Sequence, residues 1–406
     1  MKMEKGMRKN FFFDEIATLS KEKINPKNSD ELKCIELENI DSEVAQINGW
    51  VSSREQKSTK NIFRKGNVLF GKLRPYLKKY WFATFDGVCS SEIWVLQANA
   101  ETITEKYLFY FIQSDEFISV ANVSAGSKMP RADWDFIVHY PFSIRIPSLP
   151  EQKKIADFLS SVDSRIQMLT EKKELLEQYK KGMMQKLFSQ EIRFKDDNGN
   201  DYPDWKEKKL GEVLRFVNSN SYSRNQLNYD KGTVRNVHYG DIHTKYNSLL
   251  KVKEEKIPYI NPNIDTTKMT DEQYVIEGDL IIADASEDYE DVGKCVEIID
   301  LQDYKLVAGL HTFIARDIDD FALGFKTLLM RSQFVRKQIM RMAQGISVLG
   351  ISKSNLSKII LYIPSLPEQQ KIADFLSAID RKIELVNSQI ELSKEYKKGL
   401  LQRMMV

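Results

Sequence analysis

Four groupings in the sequence have residue types that could do chemistry, and each can be tested against what its chemistry requires. Gly345-Ile-Ser-Val-Leu-Gly350 has the glycine spacing of a phosphate-cradling loop, but Ile351 stands where the loop needs a lysine, so nucleotide hydrolysis is not indicated. Asp204, Glu207 and Lys209 resemble a nuclease carboxylate set, yet they crowd together directly after Pro203 and read as a solvated turn. Methyl transfer to adenine would call for an Asn-Pro-Pro-Tyr loop and a glycine-rich cofactor turn, and neither occurs, so no S-adenosylmethionine is expected on this chain. Of the four histidines, His139, His238, His243 and His311, the pair His238 and His243 is five residues apart, one more than a helix needs to put both on one face. No metal site is expected from them. Cys34, Cys89 and Cys295 are far apart with no CxxC pair, and are read as buried thiols.

What remains is phosphate-seeking chemistry. The net charge is only +2, so the signal must lie in how charge is distributed. From Arg54 to Trp81 there are nine Lys or Arg against the single acid Glu55, with Tyr76, Tyr80 and Trp81 interleaved. Candidate DNA contacts there are Lys57, Lys60, Arg64, Lys65, Lys72, Arg74, Tyr76, Lys78 and Lys79. Pro75 fixes the turn beside Arg74, a way to aim a guanidinium at guanine or phosphate. Phe321 to Pro367 holds seven basic residues, including Arg331, Arg336, Lys337 and Arg341, and no acid. Two glycine-centred loops, Ser124-Ala-Gly-Ser127 and Gln344-Gly-Ile-Ser347, add Lys128, Arg131, Gln344, Ser347 and Lys353 as candidates, and His238, Tyr239 and His243 complete the set. The acidic run Asp284 to Asp291 warns that not every loop of the second half faces phosphate.

These residues must be positioned by an internally duplicated chain. Ile146 to Leu187 recurs as Ile363 to Met404 with 23 identities in 42 positions. Both copies open with Ile-Pro-Ser-Leu-Pro-Glu-Gln, in which Ser148 with Glu151, and Ser365 with Glu368, have capping-box spacing, and Pro150 and Pro367 fall in the first turn. Apolar residues then keep a seven-residue period: Ile155, Val162, Leu169, Leu176 and Met183 in one copy, and Ile372, Ile379, Val386 and Leu400 in the other, with Ser393 a polar lapse. Such a stripe wants a partner helix, and the simplest arrangement is an antiparallel intramolecular coiled coil of helices about 38 residues and roughly 57 Å long. That length would limit the two basic regions to about 17 base pairs apart. Packing of each helix on its own domain, or homodimerisation, are the alternatives. Lys172, Lys173, Lys180 and Lys181 are read as a solvated face.

Between the helices lie distant copies of one α+β domain. Phe63 to Phe70 aligns with Val275 to Ile282, and Tyr107 to Phe117 and Phe325 to Phe334 read as amphipathic helices. The expected organisation is domain 1 over residues 1–145, a central helix over 146–190, a linker and domain 2 over 191–362, and a C-terminal helix over 363–406. The polar stretch Asp196 to Asp201 marks the seam. No stretch approaches the roughly 20 apolar residues of a membrane span, and the basic start leads to too short an apolar run for a secretory signal, so a cytoplasmic protein is expected.

The twin Ile-Pro-Ser-Leu-Pro-Glu-Gln helices, the central Arg193-Phe-Lys-Asp-Asp-Asn-Gly-Asn-Asp-Tyr-Pro-Asp-Trp205, His238-Tyr-Gly-Asp-Ile-His243 and Gly278-Asp-Leu-Ile-Ile-Ala-Asp284 resemble the specificity subunit of type I restriction–modification systems. Gly66 to Tyr76 is similar to a variant found in either of that family's recognition domains, although the first domain lacks the tryptophan that introduces the second. The resemblance spans essentially the whole chain. It implies two similar α+β target-recognition domains separated by paired helices in a pseudo-two-fold arrangement. Each domain would read one half of an asymmetric bipartite double-stranded DNA target, and the helices would set the gap and dock two methyltransferase subunits. The chain itself would be non-catalytic. Partner subunits would bring S-adenosylmethionine, and a restriction–translocase subunit would use ATP and magnesium. Two rivals are a duplicated coiled-coil scaffold binding only protein, and a DNA-modifying enzyme with unrecognised catalytic residues.

Overall fold

The computed structural model describes residues 9–28, 30–123, 130–144 and 146–405. They form two units, Met1–Glu171 with Val386–Val406 (unit 1) and Lys172–Leu385 (unit 2). Among the described residues no helix is long and apolar enough to cross a membrane.

Unit 1 is built on two sheets. The first contains β1 (Ala17–Leu19), β6 (Val68–Gly71), β7 (Tyr80–Phe82) and β9 (Ile93–Ala98), in the order β1-β9-β6-β7. The second orders β2 (Lys23–Ile24), β5 (Lys60–Phe63), β8 (Gly87–Cys89), β3 (Lys33–Ile35) and β4 (Val51–Ser52), with β3 and β8 parallel. Val68, Leu69 and Phe70 are all buried because both faces of the first sheet are covered. Val68 and Phe70 point to an aromatic core with α1 (Glu105–Phe111), α2 (Asp115–Asn122) and α3 (Trp134–His139), whereas Leu69 points to the second sheet and packs with Phe63 and Trp81.

Unit 2 repeats this plan. Its first sheet orders β10 (Leu214–Asn218), β18 (Thr312–Asp317), β15 (Leu280–Ala283), β16 (Cys295–Ile299) and β13 (Leu249–Lys251). The second orders β11 (Leu227–Asn228), β14 (Tyr259–Ile260), β12 (Val234–Val237) and β17 (Lys305–Ala308), with β12 and β17 parallel. Leu280 and Ile282 face the helices, and Ile281 and Ala283 face the second sheet. The pairing Val68↔Leu96 has its counterpart in Leu280↔Ala315, so the strand order β1-β9-β6-β7 of unit 1 is matched by β10-β18-β15-β16 in unit 2, to which unit 2 adds β13.

Each amphipathic segment expected as one helix is two. Residues 107–117 fall in α1 and α2, broken at Ser114, and 325–334 fall in α6 (Phe325–Arg331) and α7 (Gln333–Met342), broken at Ser332. Both serines are buried and accept the N–H three residues on, from Phe117 and Val335, a local cap that outcompetes helix continuation.

The repeated helices are α4 (Leu149–Phe188) and α9 (Leu366–Met404). In unit 1 the start of α4 (Ile155, Leu159) shares a core with the end of α9 (Leu401, Met405). In unit 2 the start of α9 (Ile372, Leu376, Ile379) shares one with the end of α4 (Met183, Leu187). The pairing is therefore antiparallel in each unit, and packing on the domains accompanies it rather than competing with it. Val162 and Val386 are buried, and Leu169, Leu176, Met183 and Leu400 are half-buried.

Two expectations about these helices are corrected. The Ser365 hydroxyl is buried without a hydrogen-bond partner, so no capping box forms there. Glu368 is instead claimed by Arg193, which donates through Nε (3.1 Å) and Nη2 (2.8 Å), and by the Trp205 indole N–H (3.1 Å). The helix starts are latched by the following glutamines. Gln152 accepts the Thr104 N–H and donates to the carbonyls of Thr102 and Pro147, while Gln369 accepts the Ala322 N–H and donates to Pro364. Lys180 is not on a solvated face: it donates to both carboxylate oxygens of Asp380. The repeat places Lys397 where Lys180 stands and Asp163 where Asp380 stands, and Lys397 indeed pairs with Asp163 at 2.7 Å.

Candidate nucleic-acid interface

The basic residues of unit 1 centre on the loop joining β6 to β7. Lys72 follows β6, and its backbone is held on both sides, its N–H donating to Glu92 O (3.0 Å) and its carbonyl accepting from Ala132 N–H (2.8 Å). Leu73 bridges Arg131, and Arg74 N–H donates to Pro130 O at 2.8 Å. Arg74 lies in the left-handed region (φ 53°) immediately before Pro75. For a non-glycine residue that costs on the order of 1–3 kcal/mol, which marks a conformation the surroundings impose. Its side chain and that of Tyr76 are exposed.

The other predicted contacts of unit 1 separate into two kinds. Lys57 and Lys65 are exposed. Lys60 is a correction: it opens β5, an inner strand of the second sheet, where it is 3% exposed and ion-paired with Glu36, so burial removes it from any surface a phosphate could reach. Lys79 is partly buried and donates to Leu37 O (2.6 Å), Lys78 pairs with Glu43 (3.4 Å), Arg64 with Glu22 (3.2 Å), and Arg131 with Glu92 (3.0 Å). Lys72 and Arg74 have no ion-pair partner among the described residues. Lys128 and the loop Ser124 to Ser127 lie outside the described residues.

In unit 2 the predicted histidines gather with Tyr239. Its ring lies 4.7 Å from His238, 6.2 Å from His243 and 5.4 Å from His311. His238 is buried, and its Nδ1 accepts the Gly240 N–H, capping α5 (Tyr239–Thr244). Burial and the neighbouring Arg224 guanidinium push its pKa down, keeping that nitrogen an acceptor. Arg224 pairs with the buried Asp241 through two bonds of 2.7 and 2.8 Å. His243 Nε2 lies 3.0 Å from Ala285 O, a donor's position. Thus His238 and His243 brace the domain, and Tyr239 is partly exposed. Lys353, in α8 (Lys353–Ser357), donates to Asn218 (2.6 Å) and lies over Phe313, whereas Gln344 and Ser347 are exposed.

Sequence reasoning passed over Asp284, His311 and Ile346. Asp284 follows β15 as Lys72 follows β6, and its Oδ1 is 3.3 Å from His311 Nδ1 without hydrogen-bond geometry. Burial raises its pKa. The signal that could have found it is the alignment of Phe63–Phe70 with Val275–Ile282 carried two residues further, which sets Asp284 opposite Lys72. Among the described residues no group of His, Cys, Asp and Glu is arranged to hold a metal.

The long helices carry a second kind of surface. Met168, Leu175 and Tyr179 of α4 are 62%, 64% and 50% exposed, and their spacing of seven and four puts them on one helix face. The repeat equivalents on α9, Leu385, Leu392 and Tyr396, are exposed to the same degree.

The model of the type I restriction modification DNA specificity domain matches residues 8–178 and 202–393. The type I restriction enzyme MjaVIII specificity subunit of Methanocaldococcus jannaschii is 27% identical over 328 residues, covering 78% of this chain and 72% of that protein. A chain solved in work on complex assembly and conformational transition of the type I R-M system matches with a TM-score of 0.60 at 17% identity, over 100% of this chain and 98% of its own. The type I restriction-modification S subunit from M. genitalium matches with a TM-score of 0.55 at 15% identity, over 99% and 97%. At these identities the two solved structures speak to the fold, which is that of the present chain.

Proposed function

We propose, from the premise that the chain belongs to the type I restriction modification DNA specificity family and is a specificity subunit with two target-recognition domains, that each unit reads one half of an asymmetric bipartite DNA target. The observation that carries this reading is that one domain plan occurs twice with different side chains on its loops. A shared plan gives both domains the same approach to a duplex, and different side chains give unequal half-sites. Two copies of a modification subunit would dock on α4 and α9. Supporting this are the two equivalent exposed apolar rows, since repeated surfaces of one pattern suit two copies of one partner, and such rows mark interaction sites. S-adenosylmethionine, ATP and magnesium would be held by the modification and restriction subunits, and the assembly would work in the cytoplasm.

The test is to replace residues 1–145 by the equivalent domain of a relative and map methylated sites in cells that also make the modification subunits. One half of the target should change and the other half persist. A change in both halves, or in neither, would overturn the assignment of one half-site to each unit.

A further inference from the structure

The loop after β6 in unit 1 and the loop after β15 in unit 2 are built on one hydrogen-bond frame. Lys72 N–H donates to Glu92 O as Asp284 N–H donates to His311 O (3.0 and 3.1 Å). Lys72 O accepts from Ala132 N–H as Asp284 O accepts from Ile351 N–H (2.8 and 2.9 Å). Leu73 bridges Arg131 as Ala285 pairs with Gly350, and Gly71 N–H donates to Lys79 O as Ala283 N–H donates to Lys294 O (2.8 Å each). Each loop carries one exposed tyrosine, Tyr76 or Tyr289. With the backbones this alike, the two loops present themselves equivalently within their domains.

Their charges are opposite. The first loop holds Lys72, Arg74, Lys78 and Lys79 and no acid, whereas the second holds Asp284, Glu287, Asp288, Glu290 and Asp291 before its one base, Lys294. The swap extends to the frame, where Lys72 over Glu92 becomes Asp284 against His311. Nearby cations do not convert the second loop into a phosphate site. Lys294 is 3.2 Å from Asp291, and Arg336 spends its guanidinium on the carbonyls of Val292 and Glu290 (2.8 Å each). The segment paired with the second loop instead exposes apolar side chains: Ile346 is wholly exposed and Val348 is 56% exposed.

We infer that the two recognition domains hold DNA by different physics, the first loop neutralising phosphates through Lys72 and Arg74, and the loop pair of unit 2 making salt-insensitive apolar contact with base edges through Ile346 and Val348. This rests on the reading that both units bind duplex DNA. Phosphate neutralisation releases counterions, so affinity falls with salt by a slope of about 0.9 per contact on a log–log scale, whereas apolar contact with a thymine methyl releases none. The ionic-strength dependence contributed by these loops therefore belongs to unit 1 alone.

The experiment uses the full chain with two fluorescein-labelled duplexes, one of random sequence and one containing the target found by methylation mapping, between 50 and 200 mM KCl. The Lys72→Gln, Arg74→Gly double variant should lower the slope on both duplexes by about 1.8, making the affinity loss across that range about 12-fold smaller. Glycine at position 74 accepts the left-handed backbone, so the variant should stay folded, and its melting temperature checks that. Ile346→Ser with Val348→Ser should leave the slope unchanged and weaken binding to the target about tenfold or more, with little effect on the random duplex. Equal slope losses in the two variants, an unchanged slope in the first, or an unchanged target affinity in the second would overturn the inference while leaving DNA recognition intact. Failure of the wild-type chain to bind either duplex would overturn the recognition reading itself, and this division of labour with it.

Discussion

Glu297 makes the stability of unit 2 depend on pH in a direction opposite to that of most carboxylates. It lies in the middle of β16 with no exposed surface, accepts the N–H groups of Gly324 and Thr327 (2.9 and 3.3 Å), and has Lys326 Nζ 3.8 Å away. Gly324 caps α6 in the left-handed conformation and has no side chain to offer, so the Glu297 carboxyl serves the start of that helix from the sheet below. Burial pushes its pKa up to about 7, against which Lys326 and the two N–H donors pull only partly back. With 4.5 as the ordinary value, the folded chain keeps a proton that the unfolded chain releases between pH 4.5 and 7. Stabilisation from this site is thus complete below about 4.5, declines as pH rises to 7, and is gone above; the interval corresponds to roughly 3 kcal/mol. Glu297→Gln cannot titrate. Its absolute stability will carry an offset, because an amide N–H₂ facing a backbone N–H donor is a poor exchange, but the offset is constant with pH. The difference in unfolding free energy between wild type and Glu297→Gln, from urea denaturation at half-unit steps from pH 4.5 to 8, should shift by about 3 kcal/mol in favour of the glutamine, or about 6–12 °C in the melting temperature of a unit this size. A difference that stays flat across the range would refute the argument, since it would mean that the carboxyl is ionised throughout.

Two further perturbations address the helices. Glu368→Ala removes the shared acceptor of Arg193 and Trp205 and should cost unit 2 about 3–5 kcal/mol, while Glu151→Ala at the equivalent, partly exposed position of α4 should cost less; equal losses in calorimetry would contradict the hub role of Glu368. Double-mutant cycles on Lys180 with Asp380 and on Lys397 with Asp163 should both give favourable coupling, about 0.5–1 kcal/mol for the more exposed first pair and about 1–2 kcal/mol for the second, where Lys397 also donates to Gln113 and Asp163 accepts from Tyr110. A coupling of zero at Lys397 would remove the ion pairs from the account of how the helices are held.

What the sequence made legible was whatever has a period. The seven-residue rows, the duplicated helix starts and the β-rich runs at Val68 and Leu280 all report one-dimensional repetition that the fold preserves. The sequence was silent where a side chain is used at long range. Lys60 looked like its basic neighbours until Glu36, just past the end of β3, took it inside. Glu368 fitted a local cap, but Arg193, 175 residues earlier, offers a bidentate, charge-assisted partner that a serine hydroxyl cannot match. The break at Ser114 and at Ser332 was local and could have been read, since a buried serine followed by an apolar residue three positions on is a cap as readily as a helix interior.

The same distinction separates what the two domains share from what sets them apart. Interactions that the two halves share run through the backbone frame around Lys72 and Asp284, the latching Gln152 and Gln369, and the lysine–aspartate pairs on the long helices. A backbone frame tolerates any side chain that does not clash, so the loop after β6 and the loop after β15 could diverge from four bases to five acids without disturbing the sheet that carries them. Divergence at constant frame is what a reader of variable sequences requires, because stability is then set by one group of residues and specificity by another. The strain at Arg74 fits this separation. Its left-handed backbone is held by Pro130 and Pro75, not by its own side chain, which is left exposed.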